Sequence, residues 1–324
     1  MSTHRNISAV VLLAFVFGAL PGGACAQSDP AKPVRIIVPF PPGGGTDIVA
    51  RVVAQRLNAS LGKPVIVENK PGAGGAIGTE AAIKAAPDGH TLLMISSSYT
   101  VNPGLFKLNF DPVNDITAVV QVSQGGHLIV VNPALPVKSV QELIALAKQH
   151  PGKIAFASSG QGGVIHMGTE LFCSTAGIKM LHVPYKGTAP ALTDTLAGQT
   201  SLLIASTPAL LPHVKKGRLR AIAVTATERI PALPEVPTVD ESGLPGFEVI
   251  NWQGLIGPKG LPRAVVERLN AEVNKMLALP DMEARLQSEG LVRAGGSPEQ
   301  FLARIKKEIG VWHKVIADTG VKPE

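Results

Sequence analysis

Short runs of consecutive apolar residues alternate along this chain with longer stretches whose apolar positions recur every three or four residues. Val34 to Phe40 (VRIIVPF) is the first such run, and Pro41-Pro42 stops it. From about Thr46, the residues Ile48, Val49, Val52, Val53 and Leu57 fall at helical spacing until Gly62, so a helix is predicted there. Val65 to Val67 and Leu92 to Ile95 read as further strands. The alternation then restarts. Strands are predicted at Leu128 to Val131, Ile154 to Ala157, His182 to Pro184, Ser201 to Ala205 and Ala221 to Thr225, with helices at Ser139 to Gln149, Gly163 to Ala176 and Thr188 to Ala197. The tail reads as two helices, Pro262 to Leu279 and Pro298 to Ala317. In the second, Phe301, Ile305, Ile309, Trp312 and Ile316 form one apolar stripe, read as packing.

Strands without internal polar alternation, separated by amphipathic helices, predict an α/β architecture of parallel sheets covered on both faces. Two such units fit the length of 324 residues. Candidate crossings between them are Ser123-Gln124-Gly125-Gly126 and the Pro- and Gly-rich stretch from Pro234 to Gly246. The expected division is a discontinuous first lobe, residues 27–124 with 247–324, and a second lobe, residues 125–246. Ligands of such folds sit in the crevice beyond the carboxyl ends of the strands.

The first residues do not belong to this pattern. Arg5, the apolar run Val10 to Leu20, the breakers Pro21-Gly22-Gly23 and the small-residue site Ala24-Cys25-Ala26 make a secretory leader, residues 1–26, with cleavage expected after Ala26. Lipidation of Cys25 is the alternative. Cleavage leaves Cys173 unpaired, in an apolar helical run that marks it as core. The leader holds one of the 30 Lys and Arg residues, so the formal charge drops from +6 to +5. A mild positive balance suits a small anion. Basic clusters and aromatic platforms for nucleic acid are lacking, so a nucleic-acid partner is not expected.

The sharpest chemical signal is PFPPGGGTD (Pro39 to Asp47), in which three glycines join a strand to a helix. Pro42, Gly43, Gly44, Gly45, Thr46 and Asp47 would turn backbone amides toward a carboxylate at the positive end of the helix dipole. A tight turn with no ligand is the plain alternative. The spacing fits neither a Walker loop nor a dinucleotide fingerprint. A second loop repeats the device: Ser158, Ser159, Gly160 and Gly162 precede a helix that carries His166 one turn in. His166 either contacts the ligand or caps and packs locally; a metal site with Glu170 lacks a recognisable third ligand. Ser97 and Ser98 follow a buried-type strand and reach the same edge. VPYKG adds Tyr185 and Lys186 beside a further helix start at Thr188. No nucleophile elbow, zinc-protease motif or acid pair indicates an enzyme. The sole hydrolase candidate combines Ser158 or Ser159 with His166.

Taken together, PFPPGGGTD, VIVENKPGAGGAIG (Val65 to Gly78), PDGHTLL (Pro87 to Leu93), SSGQGGVIHMGTELF (Ser158 to Phe172), HVPYKGTAPALTD (His182 to Asp194) and LPEVPTVDESGLPGFE (Leu233 to Glu248) resemble, in order, the Bug family of extracytoplasmic solute receptors, relatives of the binding subunit of tripartite tricarboxylate transporters. The resemblance implies a two-lobed periplasmic-binding-protein (Venus flytrap) fold, each lobe a mostly parallel sheet flanked by helices. It also implies a monomeric, non-enzymatic periplasmic receptor without cofactor or metal. Its partners would be a small carboxylate ligand and one large and one small integral membrane transporter subunit, or, in a sensing role, a membrane signalling partner. By motif, the loops Pro41 to Asp47 and Ser158 to Gly162, with His166 beside the second, grip one carboxylate. One departure stands out. Where the family commonly shows Gly-Gln-Val-Asp and then Leu-Met-Phe-Asp, this chain has Gly198-Gln199-Thr200-Ser201 and Leu202-Leu203-Ile204-Ala205. Ala205 and the adjoining Ser206, with Ser97 and Ser98, are expected to line the distal crevice, and loss of the acid disfavours an amino-acid ligand.

Overall fold

The structure, a computed structural model, describes residues 32–319. The leader, its cleavage point and Cys25 lie outside the described residues. Strand β1 (Val34–Val38) runs parallel to both β2 (Val65–Asn69) and β3 (Thr91–Ser96). Helix α1 (Gly45–Leu61) connects β1 to β2, burying Val49, Val53 and Leu57, which lie at helical spacing on one face. It stops at Gly62, whose φ of 66° is the left-handed cap that ends many helices. A 3₁₀ turn at Ala73–Gly75 and helix α2 (Ala76–Ile83) lead to β3, and α3 (Ser98–Leu105) follows it directly.

The next strand, β4 (Ile116–Val131), is 16 residues long. Only its last four residues stand out in the sequence as a strand, because Ser123-Gln124-Gly125-Gly126 reads as a break. The glycines are there for close packing: a β-carbon on Gly125 would meet the Gly290 carbonyl at 2.9 Å, and one on Gly126 would meet the Ala226 amide at 2.7 Å. At this point β4 changes partners. Ile116 to Gly126 pair antiparallel with β9 (Ile250–Pro258), and Gln121 to Gln124 pair on the other side with β10 (Val292–Gly295). From His127 onward β4 pairs instead with β7 (Leu202–Ser206) and β8 (Arg220–Val224).

The second set of elements follows the predicted order: α4 (Val140–Gln149), β5 (Ala155–Ser158), α5 (Val164–Ala176), β6 (Leu181–Pro184) and α6 (Thr188–Leu196). Helix α7 (Thr207–Lys215) follows β7 without a linker; Pro208 and Pro212 inside it mask its pattern in the sequence. β5 is parallel to β6 and β7. The parallel expectation thus holds for three strands on each side, and antiparallel β4 and β9 join these to make a mixed sheet. Its path is β2-β1-β3-β9-β4-β7-β5-β6.

Helix α8 (Arg263–Leu277) buries Val266, Leu269 and Val273 against β1, β3 and β4, and α9 (Pro280–Ser288) precedes β10. The last helix, α10 (Pro298–Thr319), does more than cover the first set of strands. Phe301 and Ile305 pack with Trp252 of β9, whereas Trp312 and Ile316 of the same stripe join the core around β4, β5 and β7. One helix therefore spans both sides of the partner change on β4. Cys173 is buried, and burial pushes its thiol up to about 12, which makes it a core residue and not a reactive one.

Candidate functional site

The two glycine loops have the same construction. In each, a glycine with positive φ (Gly43, 82°; Gly162, 71°) precedes an extended glycine N-cap, Gly44 or Gly163, that offers no side-chain cap. In each, the amide of the positive-φ glycine is held by a side chain four residues on. Gly43 N–H donates to Asp47 Oδ2 at 3.0 Å, and Gly162 N–H donates to His166 Nδ1 at 3.1 Å. The following helix amides have no carbonyl four residues back, and apart from Val164 N–H, which donates to Ser98 Oγ, they remain as donors.

Asp47 and His166 are therefore loop staples that do not line the pocket. Asp47 Oδ2 also accepts from Arg51 Nε (2.9 Å), and its Oδ1 accepts from Asn69 Nδ2 (2.9 Å), which in turn donates to the Phe40 carbonyl. Burial acts to raise the Asp47 pKa, but the bonds from Arg51, Gly43 and Asn69 outweigh it, and the carboxyl lies below its ordinary value. His166 accepts from Gly162, stacks on His182 with ring centroids 3.9 Å apart, and stands 3.7 Å from Glu170. Ser158, fully buried, hydrogen-bonds His182 Nε2 at 2.6 Å and the Gly160 backbone. The hydrolase candidate pairing Ser158 with His166 is not formed. The histidine that Ser158 meets is His182, and the serine is sealed from any substrate.

The loops face one another across a pocket of about 30 Å³. Gly44, Gly45 and Thr46 bring the start of α1 to it; Val164 and Ile165 bring α5, Thr188 brings α6, and Ser206 is the N-cap of α7. Ser98, at the start of α3, lines the same pocket and accepts from Val164 N–H at 3.2 Å. No lysine, arginine, aspartate or glutamate lines it. A carboxylate there would be met by helix N-termini and hydroxyls, donors without net charge. His127 and Asn251 also line it, beside Phe40 and Ser96 of the expected segments. Sequence reasoning missed both, and neither sits in a motif: β4 and β9 deliver them from positions 124 residues apart. Thr188 was read only as a helix start.

Ser159 lines both this pocket and an adjoining outer cleft of about 270 Å³. Gly160, Tyr185 and Lys186 line the cleft with Phe40, Pro41 and Phe106. Tyr185 donates to Asp194 Oδ2 at 2.8 Å. Besides Asp47, Ser158, Gly162 and His166, four expected residues fall away from both spaces. Ser97 is buried and donates to Asn251 Oδ1 at 3.1 Å, Ala205 is sealed in the β4–β7 pairing, and Pro42 and Gly43 form the outer turn of the loop. The larger cleft is lined mostly by apolar groups; the smaller pocket is where the helix N-termini converge, so an anion is best met there. Among the described residues, no group of three or more His, Cys, Asp or Glu is placed to hold a metal, and no helix is long and apolar enough to cross a membrane.

Known proteins share this fold. Residues 49–321 match the model of the tripartite tricarboxylate transporter family receptor. The protein BugT of Bordetella pertussis is 38% identical over 98% of this chain and 99% of its own. The structure of R. palustris Rpa4515 with adipate superimposes with a TM-score of 0.88 at 34% identity, over 90% of this chain and 98% of that one. MatC of Rhodopseudomonas palustris, with bound malate, gives 0.82 at 33% identity, over 87% and 98%. With the family model covering most of its length, this chain belongs to the tripartite tricarboxylate transporter receptor family, among its Bug-type members.

Proposed function

We propose that this protein is an extracytoplasmic receptor that captures a small organic carboxylate between two lobes and presents it to a large and a small integral membrane subunit. The observation that carries this reading is the convergence of α1, α5, α6 and α7 N-termini on one pocket that has no charged side chain. Four positive dipole ends and their free amides favour an anion, and the absence of a carboxylate in the lining avoids repelling it. Adipate and malate, held by two similar proteins, are both carboxylates.

The lobes proposed are residues 27–124 with 247–324, and residues 125–246. The change of partners along β4 at Gly126 and His127 supports this division, as does Val249, whose amide still bonds the Thr225 carbonyl one residue before β9 begins. A pocket of about 30 Å³ holds about one water. A dicarboxylate therefore enters with the lobes apart and is enclosed by a hinge motion, with binding as the whole of the activity. The chain reaches the periplasm as a monomer by loss of residues 1–26.

The test is a thermal-shift panel on the mature protein, freed of co-purified ligand, against mono-, di- and tricarboxylates and their amides. Ligand at about a hundred times its dissociation constant adds roughly 2.7 kcal/mol of stability. A shift with an acid and none with its amide is the expected result. No shift with any acid for a folded sample would refute the reading. Mass spectrometry of the exported protein checks for a chain beginning at Gln27.

A further inference from the structure

The inner pocket, at about 30 Å³, has room for an acid group and little else. The body of a ligand must lie beside it. The adjoining space is the outer cleft of about 270 Å³, which shares Phe40 and Ser159 with the pocket as walls. Both spaces lie between the two proposed lobes. Pro39 to Pro41, Pro71 to Gly75 and Phe106 line the cleft from one side, and Ser159 to Gln161 and Pro184 to Lys186 from the other. The sides touch beside it: a β-carbon on Gly187 would overlap Pro41, and one on Gly162 would come within 3.1 Å of the Phe106 ring. The cleft therefore belongs to the same closed arrangement as the pocket.

Its walls are mostly hydrocarbon. Phe40, Phe106 and Tyr185 supply rings, and Pro41, Pro71 and Pro184 supply flat apolar faces. The Tyr185 hydroxyl is engaged by Asp194, so its ring is what it has left to offer. Lys186 is the single charged residue of the lining, and a polyanion would find one ammonium there among apolar groups. Water can fill such a cleft, but rings and prolines give it few hydrogen bonds, and an apolar body that displaces it is favoured.

Ala73 is an independent sign. Its φ is 46°, and among the described residues it is the one non-glycine with positive φ. Gly72, Gly74 and Gly75 around it hold positive φ without steric cost, whereas an L side chain there crowds its own backbone. The Ala73 methyl is exposed on the cleft wall, so the strain is borne without any gain in core packing. A methyl held under strain at the edge of a ligand cleft acts as a contact group.

We infer that the ligand is a carboxylate with an apolar body, an aryl ring or a short alkyl chain, which lies in the outer cleft while the acid group occupies the inner pocket, and that Phe106 and Ala73 select for that body. This rests on the carboxylate-receptor reading and adds the substrate class to it.

Calorimetric titration of the mature protein, freed of co-purified ligand, with straight-chain monocarboxylates from propionate to hexanoate tests it, with phenylacetate, succinate and citrate alongside. Affinity should rise about fourfold with each methylene, the gain expected for taking one out of water, and phenylacetate should bind more tightly than succinate or citrate. Phe106→Ala should flatten the series, lowering the hexanoate-to-propionate ratio at least about tenfold. Ala73→Gly removes one methyl and relieves the strain. It should lower the same ratio about fourfold without lowering the melting temperature of the ligand-free protein. Equal affinities along the series, succinate or citrate binding above every acid with an apolar body, or a series as steep in both variants as in the wild type would each overturn the inference while leaving the carboxylate receptor standing. Failure of every acid to bind would remove both.

Discussion

Ser206 Oγ occupies the position that a β-carbon on Gly45 would need, and the Ser206 β-carbon itself would lie 2.8 Å from it. Gly45 opens α1 and Ser206 caps α7, so one missing side chain lets two helix N-termini from opposite sides of the sheet close on the pocket. Gly45→Ala should leave each side folded, since Gly45 lies in an ordinary helical conformation and alanine is favourable there. It should hold the loops apart. We expect carboxylate affinity to fall at least about tenfold while melting of the ligand-free protein changes little, and small-angle scattering to show a more open particle with ligand. Unchanged affinity would mean that the contact is incidental.

The staple on the first loop predicts a different signature. Asp47→Ala frees Gly43 N–H and leaves Arg51 and Asn69 without their shared partner. Removing one partner from such a network costs roughly 1–3 kcal/mol, and here the loss falls on the loop that carries the amides. Both melting temperature and affinity should drop. The sign of the pH effect follows from the depressed pKa: the contribution is present above the ordinary value of 3.8 and is lost as pH falls through the lower folded-state value. Asp47→Asn should therefore flatten the low-pH limb of a stability profile.

How much of this was legible beforehand differs between the frame and the pocket. The glycine loops could be read because their geometry is local: Gly43 and Gly162 supply backbone conformations that few other residues tolerate, and α1 and α5 announce themselves by apolar spacing. The stapling roles of Asp47 and His166 were less visible, because a polar residue one turn into a helix reads equally as ligand contact or as cap. β9 and the first part of β4 carry Asn251, Gln253, Gln121 and Ser123 on buried strand positions, and these polar residues break the apolar run that marks a strand. His127 was invisible for the same reason. Its place in the pocket is fixed by pairing with Ser206, a long-range register that no local pattern encodes.

His182 should make the protein sensitive to mild acid. Burial, and next to it the charge His166 would carry, push its pKa down to about 4, with Glu170 acting the other way. An imidazole depressed in the folded state is neutral there while the unfolded chain still takes up a proton, so the unfolded state binds more protons between about 4 and 6.5. Stability is complete above the ordinary value and declines as pH falls through that window. His127, also lowered to about 4, adds in the same direction. Melting temperature measured across the window should decline on acidification. His182→Phe, which can keep the stack between Phe156 and His166, should make the decline shallower without abolishing it.

The last expectation concerns the hydrogen bond that joins the two sides directly. Ser98 Oγ, at the start of α3, accepts from Val164 N–H, the first amide of α5, and both groups are buried. A ligand carboxylate competing for α5 has only the next amides, because this one is already committed. Ser98→Ala removes the acceptor and leaves the Val164 amide unpaired in a closed pocket, at a cost of roughly 1–3 kcal/mol. That cost applies only while the loops face each other; with the lobes apart, water reaches the amide. The variant should therefore shift the balance toward the open form, lowering affinity mainly through faster release, while the melting temperature of the ligand-free protein moves less than that of the complex. Stopped-flow release of a bound acid separates these cases. A slower release from Ser98→Ala would show instead that the freed amide is recruited by the ligand, and that the serine shields a stronger anion site than the one it helps to close.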